Sequence, residues 1–257
     1  MKKFVVTALA LVLASSGAVA KDWKVLRFGV DPSYAPFESK AANGKLIGFD
    51  VDLGEEICRR VKAKCEWVEN DFDGMIPALK AKKFDGILSS LSVTEKRAKE
   101  IAFSDKMYNA PTRMVAKKGS NLLPTPASLQ GKRVGVEQGT TQEAYAKAYW
   151  EPKGVTVVPY QNQDLVVVDL SSGRLDASLQ DAVQADIGFL QTPRGKNFAF
   201  AGAEVTDVKT LGVGIAMGLR KEDSDLRSLV NKALADMHKD GSYARLAKKY
   251  FAFNIYD

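Results

Sequence analysis

Three short clusters hold the polar side chains most able to do chemistry, and each follows an apolar run. The first is Asp31-Pro32-Ser33-Tyr34, and the second is Ser89-Ser90-Leu91-Ser92-Val93-Thr94-Glu95-Lys96-Arg97. In the second, Ser92 and Glu95 have the spacing of a capping box, which puts Arg97 in the first turn of a short helix. The third, Gln138-Gly139-Thr140-Thr141-Gln142, reads as a helix start. Free backbone N–H groups and the macrodipole favour an anion there. Each cluster alone is ordinary helix capping, which these residue types do anywhere. Together, at equivalent places in a twofold plan, they point to a binding site. Metal chemistry is not expected, because the chain has one His, His238, and no ligand cluster around it.

The elements that must position these clusters alternate between strand and helix. Val25–Val30 (VLRFGV) is a short apolar strand leading into Asp31. Residues 49–62 place Val51, Leu53, Ile57 and Val61 on roughly one face of a helix. A strand over 65–69, a helix over 71–82 and a strand over 84–89 complete a βαβαβ run, which implies an α/β fold with a mostly parallel sheet. After residue 109 comes a proline-bearing polar connector. A strand over 133–136 then begins a second unit of strand, polar turn and helix. Aligning Phe84-Asp85-Gly86-Ile87-Leu88 with Leu175-Asp176-Ala177-Ser178-Leu179 puts Ser90 opposite Asp181, as equivalent strand ends. Ligands of open α/β sheets sit outside the carboxyl ends of the strands, so a cleft between two similar lobes is expected. Residues 211–217 (LGVGIAM) read as a further apolar strand, and the tail as two helices parted by Asp240-Gly241. Gly212 and Gly214 mimic a nucleotide fingerprint, but no helix start follows at the required spacing.

The 257 residues are 46% hydrophobic and 26% charged, which excludes a disordered or fibrous protein. Residues 1–20 combine a cationic start (Lys2, Lys3), an apolar stretch from Phe4 to Ala14 and an Ala18-Val19-Ala20 cleavage pattern. This reads as a secretory signal peptide whose core is too short for a lasting membrane span. Lys21 rather than Cys follows, so a lipid anchor is not expected. Removing the peptide lowers the formal charge from +6 to +4, and no basic stripe interleaves with aromatics. Nucleic acid is therefore not an expected partner. Export also suits a disulfide between Cys58 and Cys65, at the end of a helix and the start of the next strand. For so short a loop the bridge would contribute at the low end of ~2–4 kcal/mol.

The segments DPSYAPFE, GKLIGFDVDLGEEIC, SSLSVTEKR, GVEQGTTQEAY, GRLDASLQD and AKKYFAFN resemble, in order, the periplasmic substrate-binding proteins of polar amino-acid ABC importers. The branch is that of the lysine/arginine/ornithine-binding and histidine-binding proteins, and the likeness spans the mature chain. It implies a type II periplasmic-binding-protein fold, two lobes with mixed, mostly parallel sheets joined by a two-strand hinge. The lobes would be 21–108 plus 213–257 and 113–205, with hinge segments 109–112 and 206–212. The resemblance implies that Arg97 clamps a ligand α-carboxylate, aided by Ser92 and Thr141. Asp181 would pair with the α-ammonium, with Ser90 nearby. Tyr34 and Phe72 would stack on the ligand side chain and Asp31 would receive its cationic end. Ser89 and Gln142 are further contacts. The implied partners are a small-molecule amino acid and an ABC permease with its ATPase, met by a monomeric receptor without cofactor.

With Arg97 at +1 and Asp31 and Asp181 at −1 each, such a site sums to −1, and lysine, arginine or ornithine sums to +1. Every ligand charge then meets a partner. A neutral ligand would leave Asp31 unpaired. Glu137 departs from the family, whose basic amino-acid binders carry an apolar residue there. If Glu137 faces the cleft, the site sum becomes −2, which favours an extended cationic group or a different register for the guanidinium; if it faces solvent, the reading preferred because the turn is exposed at its edges, nothing changes. Rival readings are an opine receptor, whose extra ligand carboxylate Asp31 and Glu137 would repel, and a dehydratase on the same fold. The latter needs an acid or base not already committed to holding the ligand.

Overall fold

A computed structural model describes residues 21–256. The expected signal peptide, residues 1–20, lies outside the described residues. Two five-stranded sheets carry the chain, and both follow one plan. The first runs, edge to edge, Lys64–Glu69, Val25–Val30, Gly86–Ile87, Gly218–Leu219 and Ala102–Phe103. The second runs Thr156–Tyr160, Arg133–Glu137, Ala177–Asp181, Thr112–Lys117 and Phe198–Phe200. In each, three parallel strands are followed by two antiparallel ones. The mixed α/β architecture in two sheet-rich lobes is thus present.

The internal similarity extends to side chains. Asp85 Oδ2 accepts the Arg27 N–H at 3.1 Å, and Asp176 Oδ2 accepts that of Arg133 at 2.8 Å. The backbone answers in kind, with Asp85 N donating to Arg27 O and Asp176 N to Arg133 O. Each central strand also has a glycine where a neighbour presses close. A Cβ on Gly29 would meet the Phe84 ring at 2.5 Å, and one on Gly135 would meet Leu175 at 2.4 Å. Phe84 and Leu175 head the two aligned segments and Gly86 and Ala177 hold equivalent register positions, so Asp181 ends its strand where Ser90 follows the shorter Gly86–Ile87.

Apolar residues cover both faces of each sheet. Helix Phe49–Val61 buries Phe49, Leu53 and Ile57 with Leu26, Phe28 and the helix Ser224–Lys239, while Met75, Leu79, Phe84 and Ile101 fill the opposite side. In the second sheet Trp150, Val134 and Leu179 pack on one face, and Val166, Leu170 and Phe189 on the other. Lys62, at φ 60°, ends the first helix in the left-handed region and turns the chain towards Cys65. Cys58 and Cys65 form the disulfide, with Cα atoms 5.8 Å apart.

Three element boundaries differ from the sequence reading. Residues 71–82 hold a 3-10 turn, Phe72–Gly74, before the helix Met75–Lys80. The strand over 84–89 is regular only at Gly86–Ile87, because Ser90 turns the chain at φ 48°. The run 211–217 is not one strand: Val208–Leu211 is a helical turn, and Gly212 and Gly214 take φ 90° and 123°. Those angles lie outside the β region, and the regular strand is confined to Gly218–Leu219.

The Cys58→Ser/Cys65→Ser double variant is expected to lose about 2 kcal/mol in urea denaturation. An unchanged midpoint would show that the loop is already ordered without the bridge.

Candidate functional site

The carboxyl ends of the parallel strands of both sheets face a common cavity. Its lining includes every residue singled out from the sequence: Asp31, Tyr34, Phe72, Ser89, Ser90, Ser92, Arg97, Thr141, Gln142 and Asp181. Glu38 and Glu137 line it too. Loops from the two sheets meet around it, through Arg97 to Gly139 O at 3.0 Å and Gln161 Nε2 to Asp71 Oδ2 at 2.9 Å.

Arg97 is 9% exposed and sits in the first turn of the helix Glu95–Glu100. Thr94 caps that helix, its Oγ1 accepting Arg97 N–H at 3.2 Å. The expected cap, Ser92, is instead still extended and bridged to Ile215, so the helix starts two residues later. One guanidinium nitrogen donates to Ser92 O at 2.9 Å, another to Gly139 O, and the Phe72 ring lies 5.5 Å away. Burial lowers its pKa to about 10, so it stays charged at neutral pH. These partners are carbonyls and a ring, which orient the fork without cancelling its charge. A carboxylate ligand can therefore be the group that does.

Gly139 lets the second sheet's loop come this close. Its φ is 80°, and a Cβ there would lie 2.6 Å from Asp73 Cα. The helix Thr141–Tyr149 follows, capped by Thr140, whose Oγ1 accepts Glu143 N–H at 3.1 Å and donates to Glu137 O at 2.7 Å. Gln142 Nε2 donates to Thr112 Oγ1 at 3.0 Å, and Thr141 Oγ1 to Gln142 Oε1 at 3.2 Å.

The other charges on the cavity are acids. Asp31 Oδ1 accepts the backbone and hydroxyl of Ser33, while its own N–H reaches Ser89 Oγ at 3.0 Å. Ser89 then donates to Glu38 Oε1 at 3.1 Å. Asp181 Oδ1 accepts Gln184 N–H at 2.7 Å. Asp31 Oδ2, Glu38 Oε2 and Asp181 Oδ2 are buried with no donor among the described residues. Burial raises all these pKa values, that of Asp181 to about 7. Glu38 is pushed well up by burial and by Asp50, and Glu137 by burial and by Asp31.

Glu137 overturns the solvent-facing reading. It is 3% exposed and lines the cavity, because the last strand residue pairs with Tyr160 and turns its side chain inward. Glu38, the last residue of the segment DPSYAPFE, was given no role from the sequence. Neither was the support beneath Ser90. Ser90 N–H donates to Asp50 Oδ2 at 2.9 Å, and Tyr108, 3.0 Å from Ser90 Oγ, donates to Asp50 Oδ1 at 2.7 Å. These bonds hold a non-glycine residue at positive φ, a strain found where geometry must be kept. Only the acidic residue inside an apolar helix face hinted at Asp50.

A charged cavity shared by two sheets of one topology defines a two-lobed solute receptor of the type II periplasmic-binding-protein class. Residues 26–253 match the bacterial extracellular solute-binding proteins, family 3, and the chain belongs to that family. It is 55% identical to the histidine-binding periplasmic protein of Salmonella typhimurium, covering 100% of this chain and 99% of the relative. It is also 55% identical to the lysine/arginine/ornithine-binding periplasmic protein of Escherichia coli, again over 100% and 99%. An ancestral arginine-binding protein bound to arginine superposes with a TM-score of 0.83 at 36% identity, covering 89% of this chain and 99% of that one.

The buried acids make stability depend on pH. Carboxyls of an unfolded chain titrate near ~4, whereas Asp50 is pushed by burial to about 6 and Asp181 to about 7. The folded form binds more protons across that window, so its stability falls as pH rises through it. Glu56, lowered by its bond to Arg59, titrates below the window, and His238, lowered by burial, opposes the trend as a single group. Without ligand, Tm is expected to be higher near ~pH 5.5 than near ~pH 7.5. A Tm that climbs with pH over that interval would contradict the burial of these acids.

Proposed function

We propose that this protein is a periplasmic receptor that captures a cationic L-amino acid between its lobes and delivers it to an ABC importer. The carrying observation is the charge layout: one guanidinium held only by carbonyls and a ring, facing acids that each keep an oxygen without a donor. A cationic amino acid brings one carboxylate and two cations, and so completes both halves. Arg97 takes the α-carboxylate with Ser92 and Thr141. Asp181 takes the α-ammonium beside Ser90. The side chain lies between Tyr34 and Phe72, adding ~0.5–2 kcal/mol of cation–π attraction, with its cationic end on Asp31. Ser89 and Gln142 hold the neighbouring acids and hydroxyls in place. Relatives named for histidine, lysine, arginine and ornithine support this ligand class.

The lobes, 21–108 plus 213–257 and 113–205, close about segments 109–112 and 206–212, and the closed form docks on a permease driven by an ATPase. The protein acts as a monomer in the periplasm after cleavage of residues 1–20. A dehydratase is the weaker reading, since Asp31 and Asp181 are engaged in holding charge. An opine would add a carboxylate to a cavity already rich in acids.

A thermal-shift panel of the twenty amino acids, ornithine, citrulline and octopine tests this. A basic amino acid at 100 times its Kd is expected to add about 2.7 kcal/mol of stability. Arg97→Ala should abolish the shift. A shift with neutral or acidic ligands alone would refute the role of Asp31, and turnover of any ligand would refute a purely binding role.

A further inference from the structure

Glu137 and Asp31 approach each other from different sheets. Glu137 is the last residue of Arg133–Glu137, held in register with Tyr160, and Thr140 Oγ1 donates to its carbonyl. Asp31 follows Val25–Val30, with one oxygen bound by Ser33 and the other without a donor among the described residues. Both side chains line the same cavity, and the Asp31 charge joins burial in pushing the Glu137 carboxyl up. Between them the cavity has an acid on each wall at one place, on backbone that regular strands hold firm.

We infer that Glu137 and Asp31 together form a two-carboxylate seat for a guanidinium, which makes Glu137 the residue that selects arginine among the basic amino acids. This rests on the receptor reading above. A guanidinium is planar, keeps its charge in any protein environment and presents five N–H donors, enough to serve two carboxylates at once. An ammonium is compact and more strongly hydrated, so it loses more on entering the cavity. An imidazole must first take up a proton to offer two donors.

The surroundings sharpen the need for that cation. Asp31, Asp73 and Asp164 all act on Glu137 from neighbouring elements, Glu137 in turn acts on Glu38 and Tyr34, and Asp164 has Arg194 as its own counter-charge. Every charge in this group that bears on Glu137 directly is negative. When the lobes meet, two ionised carboxylates repel unless a cation lies between them. Citrulline, with the shape of arginine but no charge, cannot relieve that repulsion.

The test is calorimetric titration of the full mature chain with arginine, lysine, ornithine, histidine and citrulline, on the wild type, Glu137→Gln and Glu137→Leu. The wild type is expected to bind arginine about 10-fold or more tighter than lysine, and citrulline far more weakly. Glu137→Leu should weaken arginine by about 10- to 100-fold, the worth of one charge-assisted hydrogen bond, and leave lysine within a few-fold. Glu137→Gln, nearly the same shape, keeps the fold and separates charge from packing. Its arginine-to-citrulline ratio should shrink. If both variants keep the wild-type rank order and ratios, the seat is refuted while the receptor reading stands. If the wild type binds none of the basic amino acids, the receptor reading itself fails.

Discussion

Burying ions is costly, several kcal/mol each even after the protein relaxes, and one guanidinium and four carboxyls share this cavity. The local structure is arranged around that cost. Three of the acids receive a fixed donor on one oxygen: Ser33 on Asp31, Ser89 on Glu38, Gln184 on Asp181. Their second oxygens have none. Arg97 shows the mirror image, with carbonyls and a ring but no anion. Fixed donors orient a charge, and leaving the rest open makes the site depend on a ligand of complementary charge.

The repeated sheet supplies the rigidity this needs. Parallel strands converge with their carboxyl ends on the cavity, and the Asp85 and Asp176 side chains tie each central strand to its neighbour in the same way. The tie lies at the far end of the strands from the ligand groups. Ser90 and Asp181, at the near ends, are then free to differ: one is held by Asp50 and Tyr108 at a strained φ, the other starts the helical segment Gln184–Leu190. A common scaffold thus carries two different polar tips, which a zwitterionic ligand requires.

Much of this was legible in the residues. The alternation of apolar strands with helices, the Phe84 and Leu175 alignment and the polar clusters at strand ends led to the two-sheet plan and to a lining that includes all the chosen side chains. Glu137 was misread because an acid next to Gln138-Gly139 looks like a turn residue. Its inward direction depends on the parity of the strand and on Tyr160 opposite, which is long-range pairing. Glu38 was passed over because it opens the short strand Glu38–Lys40 of a small three-stranded sheet, which reaches the cavity only through tertiary folding. The stretch 211–217 misled for the reverse reason, since its apolar composition concealed two glycines at positive φ.

The distribution of acids between the sheets bears on how closure and recognition are linked. Asp31 and Glu38 follow the first sheet, Glu137 and Asp181 belong to the second, and Arg97 stands with the first. In the cavity these groups are cut off from water, and burial together with like-charged neighbours pushes the Glu38 and Glu137 carboxyls up. In the closure proposed above, the acids on the facing walls oppose the approach of the sheets and a cation between them favours it. The net surplus of +4 over residues 21–257 lies mostly on exposed lysines and arginines. Over ~8 Å, water and salt screen such charges, whereas the cavity groups act at close contact with little solvent between. A basic protein can therefore present a negative cavity, and the few buried acids, not the overall charge, decide what enters it.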